Sequence, residues 1–156
     1  GPQFAVWALK DVGQTGRQNV NLEKAQIIKV WEEEGATQVK IFDLGPSVSK
    51  EDAIDMSTCE PKPKGHAQLC HHWQDPEFTP GNNALYYARI MQMPTCRWNA
   101  FQCVDQNINC ESGESIPDGW EPCCEPSTQK SIQERAWTSP IWYDASTAQK
   151  GETVQP

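Results

Sequence analysis

The sequence lacks long apolar runs, and this absence limits where the protein can act. No stretch approaches the ~20 consecutive apolar residues that a transmembrane helix needs, so we expect no membrane span. No basic start precedes an apolar run, so we expect no part of the chain to be a signal peptide. The chain also lacks an initiator Met and begins Gly1-Pro2-Gln3-Phe4, which we interpret as a processed or recombinant chain.

Basic residues are also scarce. The chain contains 13 Lys and Arg residues against 21 Asp and Glu residues, which gives a formal net charge of -8. Nucleic-acid binding depends on clustered Lys and Arg that displace counterions from phosphates, and adsorption to anionic membranes needs similar clusters. We therefore expect an acidic protein with no nucleic-acid partner.

Motifs that carry catalysis are missing as well. The sequence has no Gly-rich phosphate loop, no Gly-x-Ser-x-Gly nucleophile turn and no His-x-His pair. His66, Cys70, His71 and His72 lie close together, but neighbours on a strand point to opposite faces, so few of them can share one side. The acidic triplet 32–34 fits a solvated turn better than an acid–base pair. We therefore assign no catalytic, cofactor-binding or metal-ligating residue in this chain.

The sequence does contain a series of short segments rich in β-branched and aromatic residues, separated by Gly, Pro and Asn. This pattern predicts an all-β fold, an Ig-like β-sandwich with a long cysteine-rich, disulfide-pinned loop insertion. Tryptophan is frequent, at seven residues, and large aromatic side chains can supply a compact core. The predicted strands are 4–9, 25–31, 37–44, 67–73, 84–93 and 136–143.

Individual segments allow sharper expectations. Residues 4–9 are continuously apolar, which predicts a strand buried on both faces. Residues 32–35 have turn chemistry and predict a hairpin, although a single helix over 22–34 is the alternative. Residues 84–93 predict a central strand with Tyr86 or Tyr87 in the core. Pro140 indicates an edge position or a bulge in the last strand.

We predict one domain over residues 1–156. Its core strands lie within 4–93 and 132–143, the cysteine-rich insertion covers 95–131, and 144–156 form a flexible tail.

The seven cysteines admit two interpretations, disulfides or a metal site. Structural zinc sites show paired Cys-x2-4-Cys spacing, whereas the gaps here are irregular and two cysteines are adjacent, which favours disulfides in an oxidising compartment. An odd number leaves at least one thiol free or paired with another chain. Sequence proximity makes a Cys59–Cys70 bridge plausible, and the sequence does not decide among the other pairings. The disulfide candidates are Cys59, Cys70, Cys96, Cys103, Cys110, Cys123 and Cys124.

Two segments place Arg beside Trp. Arg97 precedes Trp98, and Glu134 and Arg135 lie just before Trp137. Arginine stacks on aromatic faces and pairs with carboxylates through two parallel hydrogen bonds. One interpretation is an internal brace, such as Glu134 with Arg97. The other is a surface that docks a neighbouring domain or lines its cleft.

Long blocks of the sequence resemble a known family. They run in order from Phe4 to Tyr143 and read FAVWALKD, NLEKAQIIKVW, VKIFDL, WQDPEFTPGNNALYYARIMQMPTCRW and IQERAWTSPIWY. In this order they are similar to the C-terminal region of a large bacterial family catalogued as domain of unknown function 3604. That family in turn resembles the PHP superfamily of metal-dependent phosphoesterases.

The resemblance implies a role without chemistry of its own. Catalytic His and Asp ligands of that superfamily belong to an N-terminal region, and no position of this chain matches them. It implies a non-catalytic accessory β domain or subunit of a secreted or periplasmic PHP-like metal-dependent hydrolase, with the divalent metal held only by the partner catalytic domain. The alternative is a stand-alone extracellular structural or interaction module in a larger assembly.

Overall fold

The computed structural model describes residues 1–13, 19–46, 48–110 and 115–148. Short strands dominate it, with two helices and one 3-10 turn at Glu121–Cys123. Helices α1 and α2 are Trp98–Asp105 and Ala145–Ala148. Strands β1 to β11 are Gln3–Leu9, Leu22–Glu33, Ala36–Leu44, Ile54–Asp55, Glu60–Pro61, Gln68–Gln74, Ala84–Gln92, Thr95–Cys96, Ser131–Ile132, Arg135–Trp137 and Ile141–Tyr143.

Two antiparallel sheets pack face to face. The main sheet has the order β10-β7-β2-β3, with β11 also paired to β7, and β1 and β6 form a separate two-stranded sheet. Val6 of β1 and Leu69 of β6 share one core cluster with Ile27 of β2 and with Tyr86 and Ala88 of β7. The all-β prediction with disulfide-pinned loops is confirmed.

The hairpin between β2 and β3 has a two-residue turn. Glu33 pairs with Ala36, and the turn residues Glu34 and Gly35 have φ values of 52° and 77°. Two positive φ values in succession define a type I′ turn, whose twist matches that of the flanking strands and which glycine favours. The predicted hairpin is therefore confirmed, and the alternative helix over 22–34 is not formed.

Strand β1 differs from expectation. Its side chains alternate between the core and solvent, and Trp7 is 68% exposed. The prediction of a strand buried on both faces is wrong because β1 lies in a sheet only two strands wide, and only one face of that sheet covers the core. A continuous apolar run does not distinguish these two situations.

The centre of the core is Tyr86, on the predicted central strand. Its side chain is 1% exposed, and its ring lies 5.0 Å from the ring of Phe4 across the sheets. Phe42 and Trp73 extend this aromatic cluster, with ring centroids 5.0 Å apart. The prediction that Tyr86 or Tyr87 is buried is confirmed for Tyr86.

The last predicted strand is two strands. β10 and β11 both pair with β7, and residues 138–140 between them leave the ladder. Thr138 still contributes, because its hydroxyl accepts a hydrogen bond from the Ala88 N–H. Pro140 has no N–H to donate, and the interruption at this position agrees with the predicted irregularity.

The cysteine-rich insertion begins and ends at the short β8–β9 ladder. Its disulfides join Cys103 to Cys123 and Cys110 to Cys124, so the adjacent cysteines do take different partners. Helix α1 lies inside the insertion and was not anticipated. Residues 111–114 of the insertion lie outside the described part of the chain.

A third disulfide fastens the insertion to the preceding loop. It joins Cys59 to Cys96, across a sequence separation of 37 residues. The plausible Cys59–Cys70 bridge is wrong, because Cys59 is fully buried against Cys96 and Ala100 whereas Cys70 faces solvent on β6 as a free thiol. Sequence proximity is a weak guide when strands carry neighbouring cysteines to opposite faces.

The segment predicted as a flexible tail begins with a short helix. α2 follows β11 directly, Ala145 is buried, and its N–H donates to Asn83 Oδ1. Ala145 thus attaches the first part of this segment to the loop before β7. Residues 149–156 lie outside the described part of the chain.

Candidate docking face

The outer face of the main sheet is apolar. Residues directly opposite each other on adjacent strands share a face. The ladder therefore brings Val39, Val30, Leu85 and Trp142 into one row. The next row across the strands contains Ile41, Ile28 and Tyr87.

Several of these side chains are open to solvent. Trp142 is 76% exposed, Val39 61% and Ile41 50%, whereas Ile28 between them on β2 is only 1% exposed. A groove of about 260 Å³ beside Trp142 is bordered by Val30 and Leu85. Large apolar side chains that are exposed singly are ordinary, but a contiguous group on one sheet face marks an interaction surface. We call these two rows, together with Trp137, the outer face.

A polar row limits the outer face on one side. Register aligns Asp43, Gln26, Arg89 and Trp137, and Trp137 is 58% exposed. Gln26 donates to Asp43, and its own carbonyl oxygen accepts from Arg89 Nε at 2.8 Å. The hydrogen bond from Gln26, assisted by Lys24, holds the pKa of Asp43 below its ordinary value. The polar side chains of this row already hydrogen-bond to one another, so a partner would contact the apolar rows instead.

The sequence-predicted docking residues fall into two groups. Arg135 and Trp137 belong to β10, and their register to Met91 and Arg89 places them on the outer face of the sheet. Trp98 is 68% exposed but starts helix α1 in the insertion, away from the sheet. The structure therefore separates Arg97 and Trp98 from the outer face.

The internal brace between Arg97 and Glu134 is not formed. The Arg97 guanidinium donates to Gln129 Oε1 at 3.2 Å, and the backbone N–H of Arg97 donates to the Lys130 carbonyl. The side chain of Glu134 is exposed, and its backbone carbonyl accepts from the Gln92 N–H. The expected pair of Arg97 with Glu134 is therefore wrong, and Arg97 instead bonds to Gln129 within the insertion.

Sequence reasoning missed a buried carboxylate that fixes the segment leading into β10. Glu23 is 2% exposed and accepts a hydrogen bond from Gln133 Nε2. The same Gln133 amide also donates to the Gln92 carbonyl, and Lys50 Nζ lies 3.8 Å from Glu23 Oε2. A polar Gln inside a polar segment carries no sequence signal, so only the fold shows this role.

Sequence reasoning also missed a buried ion pair in the main sheet. Lys29 Nζ lies 2.6 Å from Asp75 Oδ2, and their side chains are 7% and 0% exposed. The Tyr86 hydroxyl donates to the same carboxylate at 2.7 Å, and Lys29 also donates to the Glu77 carbonyl. Burial and this hydrogen bond to Asp75 raise the pKa of Tyr86 far above its ordinary value. The one available signal was a lysine between Ile28 and Val30 in the apolar part of the strand.

Two further features are absent from the described part of the chain. No group of three or more His, Cys, Asp and Glu residues there is arranged to hold a metal ion. No helix in that part of the chain is long and apolar enough to cross a bilayer. Disulfides are typical of proteins in oxidising compartments, and three of them agree with an extracellular or periplasmic location.

Comparison with known proteins assigns the family. No curated protein and no solved structure shows a significant match to this chain. One family model, described as Protein of unknown function (DUF3604), matches residues 1–145. That match covers both sheets, the insertion and all three disulfides, and the chain therefore belongs to the DUF3604 family.

Proposed function

We propose that this chain is a non-catalytic accessory β domain of a secreted or periplasmic DUF3604 protein, and that it docks another domain of the same protein through its outer face. The observation that carries the proposal is the exposure of four large apolar side chains on the strands that flank the outer face, Trp142 and Trp137 on one side and Val39 and Ile41 on the other. The partner would be a PHP-like metal-dependent hydrolase domain, in keeping with the sequence resemblance.

The size of the outer face favours a tethered partner over a separate one. Four strands about 4.8 Å apart and two apolar rows about 6.8 Å apart, with Trp137 added, enclose on the order of 300 Å². Independent proteins that bind stably bury about 800 Å² on each side, whereas domains within one chain use interfaces of about 600–1,500 Å² in total. A covalent link raises the effective concentration of the two surfaces, so a small apolar contact is enough.

In this proposal the chain assists a catalytic partner domain and does not itself catalyse the reaction. Metal-dependent hydrolysis needs several converging ligands to activate water, and such a group belongs in this proposal to the partner domain. Arg135 is exposed at the end of the outer face, where it can reach the cleft of a docked domain and hold an anionic group. Its loss would then change activity only in the assembled protein.

The proposal is tested in the natural polypeptide that contains this segment. We compare Trp142→Asp with Trp7→Asp, because both side chains are largely exposed but Trp7 lies on the other sheet. Hydrogen exchange of 27–31, 37–42 and 84–88 reports on docking, and metal-dependent phosphoester hydrolysis reports on function. We expect Trp142→Asp to increase exchange and to reduce activity, and Trp7→Asp to leave both unchanged.

Three results would contradict the proposal. One is equal behaviour of the two variants. A second is metal-dependent turnover by the isolated chain. The third is a natural polypeptide that has no further domain and no partner subunit, a result that would favour the stand-alone structural module instead. Unfolding curves of the isolated variants serve as the control for folding, since substitution of exposed side chains changes stability by only about 0.5 kcal/mol.

A further inference from the structure

A polar cavity opens at the end of the core opposite the cysteine-rich insertion. Its volume is about 250 Å³, which corresponds to roughly eight water molecules. Strand β2 supplies one wall, strand β7 supplies part of the floor, and the loop between β6 and β7 forms the rim. The lining includes Lys29, Trp31, Glu33, Glu77, Thr79 and Asn82.

The floor is charged but internally neutral. The Lys29 ammonium is paired with Asp75 and lies 5.1 Å from the centre of the Trp31 ring. Lys29 therefore already occupies the position that a cationic ligand would take over Trp31. Asp75 does not line the cavity, so a second cation placed there would meet the Lys29 ammonium before the carboxylate that neutralises it.

The rim disfavours anions. Glu33 and Glu77 both line the opening, and Glu77 is paired with Lys40. Glu33 lies at the end of β2, exposed, and has no ion pair within the described residues. An anionic ligand would therefore meet an uncompensated carboxylate at the entrance.

The remaining groups suit a neutral ligand with many hydroxyls. Glu33 accepts hydrogen bonds, whereas the side chains of Asn82 and Thr79 can both donate and accept them. Both are exposed, and within the described residues neither side chain has a hydrogen-bond partner. Trp31 adds an apolar wall for C–H groups. Small-molecule sites combine such an aromatic surface with a few converging polar groups.

We propose that this cavity, between Trp31, Glu33 and Asn82, binds a single neutral sugar ring. The proposal goes beyond the docking role, because the cavity lies between the sheets and the outer face lies on the opposite side of the main sheet. The domain would then hold a saccharide while its partner domain carries out chemistry. A site of this size makes few contacts, so a dissociation constant on the order of 1–10 mM is expected.

The test uses NMR titration of the 15N-labelled chain with glucose, galactose, xylose and N-acetylglucosamine, each up to about 50 mM so that millimolar binding saturates. We expect at least one sugar to give saturable shifts at 29–33 and 77–86. Glu33→Gln and Asn82→Ala should each weaken that binding by about tenfold, the loss of one hydrogen bond to a ligand. Glu32→Gln is the matched control, because Glu32 is the exposed neighbour on the opposite face of β2 and should leave binding unchanged.

Several outcomes would overturn the proposal. Absence of saturable shifts with all four sugars would do so, as would tighter binding of choline or glucuronate at the same residues. Equal effects of Glu33→Gln and Glu32→Gln would show that the cavity is not the site. Trp142→Asp should not alter sugar binding, so failure of this proposal and failure of the docking proposal give different results.

Discussion

The buried pair of Lys29 and Asp75 yields the sharpest stability prediction. Asp75→Asn removes the negative charge while keeping nearly the same shape. Lys29 would then keep its charge with its side chain only 7% exposed, and the Glu77 carbonyl would be its remaining close acceptor. Removal of one partner of a buried ion pair costs about 3–5 kcal/mol, because an uncompensated charge stays in the interior. We therefore expect the free energy of unfolding to fall by about 3 kcal/mol at pH 7.

The measurement is urea unfolding followed by tryptophan fluorescence, with the disulfides intact. The free energy of unfolding of an ordinary domain is about 5–15 kcal/mol, so a loss of about 3 kcal/mol is well resolved. Lys29→Met combined with Asp75→Leu is the control, because replacement of a whole buried pair by apolar side chains is far less costly than removal of one partner. The double variant should therefore be more stable than Asp75→Asn.

The pH dependence gives an independent check. Burial acts to raise the pKa of Asp75, but hydrogen bonds from Lys29, Tyr86 and the Glu77 N–H, with the Lys29 charge, lower it overall. A carboxyl whose pKa is lowered by folding stabilises the fold above its unfolded pKa, about 3.9, and loses that contribution as the pH falls through the folded value. The difference between wild type and Asp75→Asn should thus be constant from pH 7 to about pH 5 and shrink below about pH 4.

Two results would refute this reasoning. A cost below about 1 kcal/mol at pH 7 would mean that Lys29 reaches solvent or another partner. A difference that does not change between pH 6 and pH 2 would mean that the Asp75 charge is not what stabilises the fold.

Four further predictions concern the disulfides, the core and catalysis. Thiol titration under denaturing, non-reducing conditions should find one free thiol, that of Cys70, and five or more would restore the metal interpretation. Replacement of Cys59 and Cys96 by Ala should lower the free energy of unfolding by about 4 kcal/mol, the loop entropy for a separation of 37 residues, and a loss under 1 kcal/mol would contradict the bridge. Tyr86→Ala should lower the free energy of unfolding by about 3–5 kcal/mol, measured by chemical denaturation. Tyr87→Ala should lower it clearly less, because Tyr87 lies on the outer face. The isolated chain should hydrolyse no phosphoester with or without added divalent metal, and turnover in a chromogenic assay that depends on metal would refute this.

The strands were readable from the sequence because their signals are local. Residues 37–44 and 84–93 each combine strand formers with a turn at one or both ends, and both form strands within a residue or two of the predicted bounds. The glycine at position 35 marks the hairpin, since a type I′ turn requires positive φ. Helix α1 was missed because its eight residues carry a weak helical pattern and lie among cysteines whose bonds hold it in place.

Pairing between distant segments was not readable. Sequence proximity favoured Cys70 over Cys96 as the partner of Cys59, and only the orientation of β6 decides that Cys70 points to solvent. The position of Lys29 in a strand between Ile28 and Val30 was visible, but not the carboxylate that neutralises it 46 residues later. Which carboxylate reaches Lys29 depends on how the loop before β7 folds over the sheet.

The sequence by itself therefore determined the all-β class, the hairpin, the central strand with Tyr86 and the oxidised cysteines, because each follows from composition or from neighbours in the chain. Only the tertiary structure decided which surface is open. Trp7, Trp137 and Trp142 have the same chemistry, yet the first lies on the outer side of a two-stranded sheet and the other two on the outer face of the main sheet. Exposure of an apolar side chain depends on what the rest of the chain packs against, and local sequence carries no record of that contact.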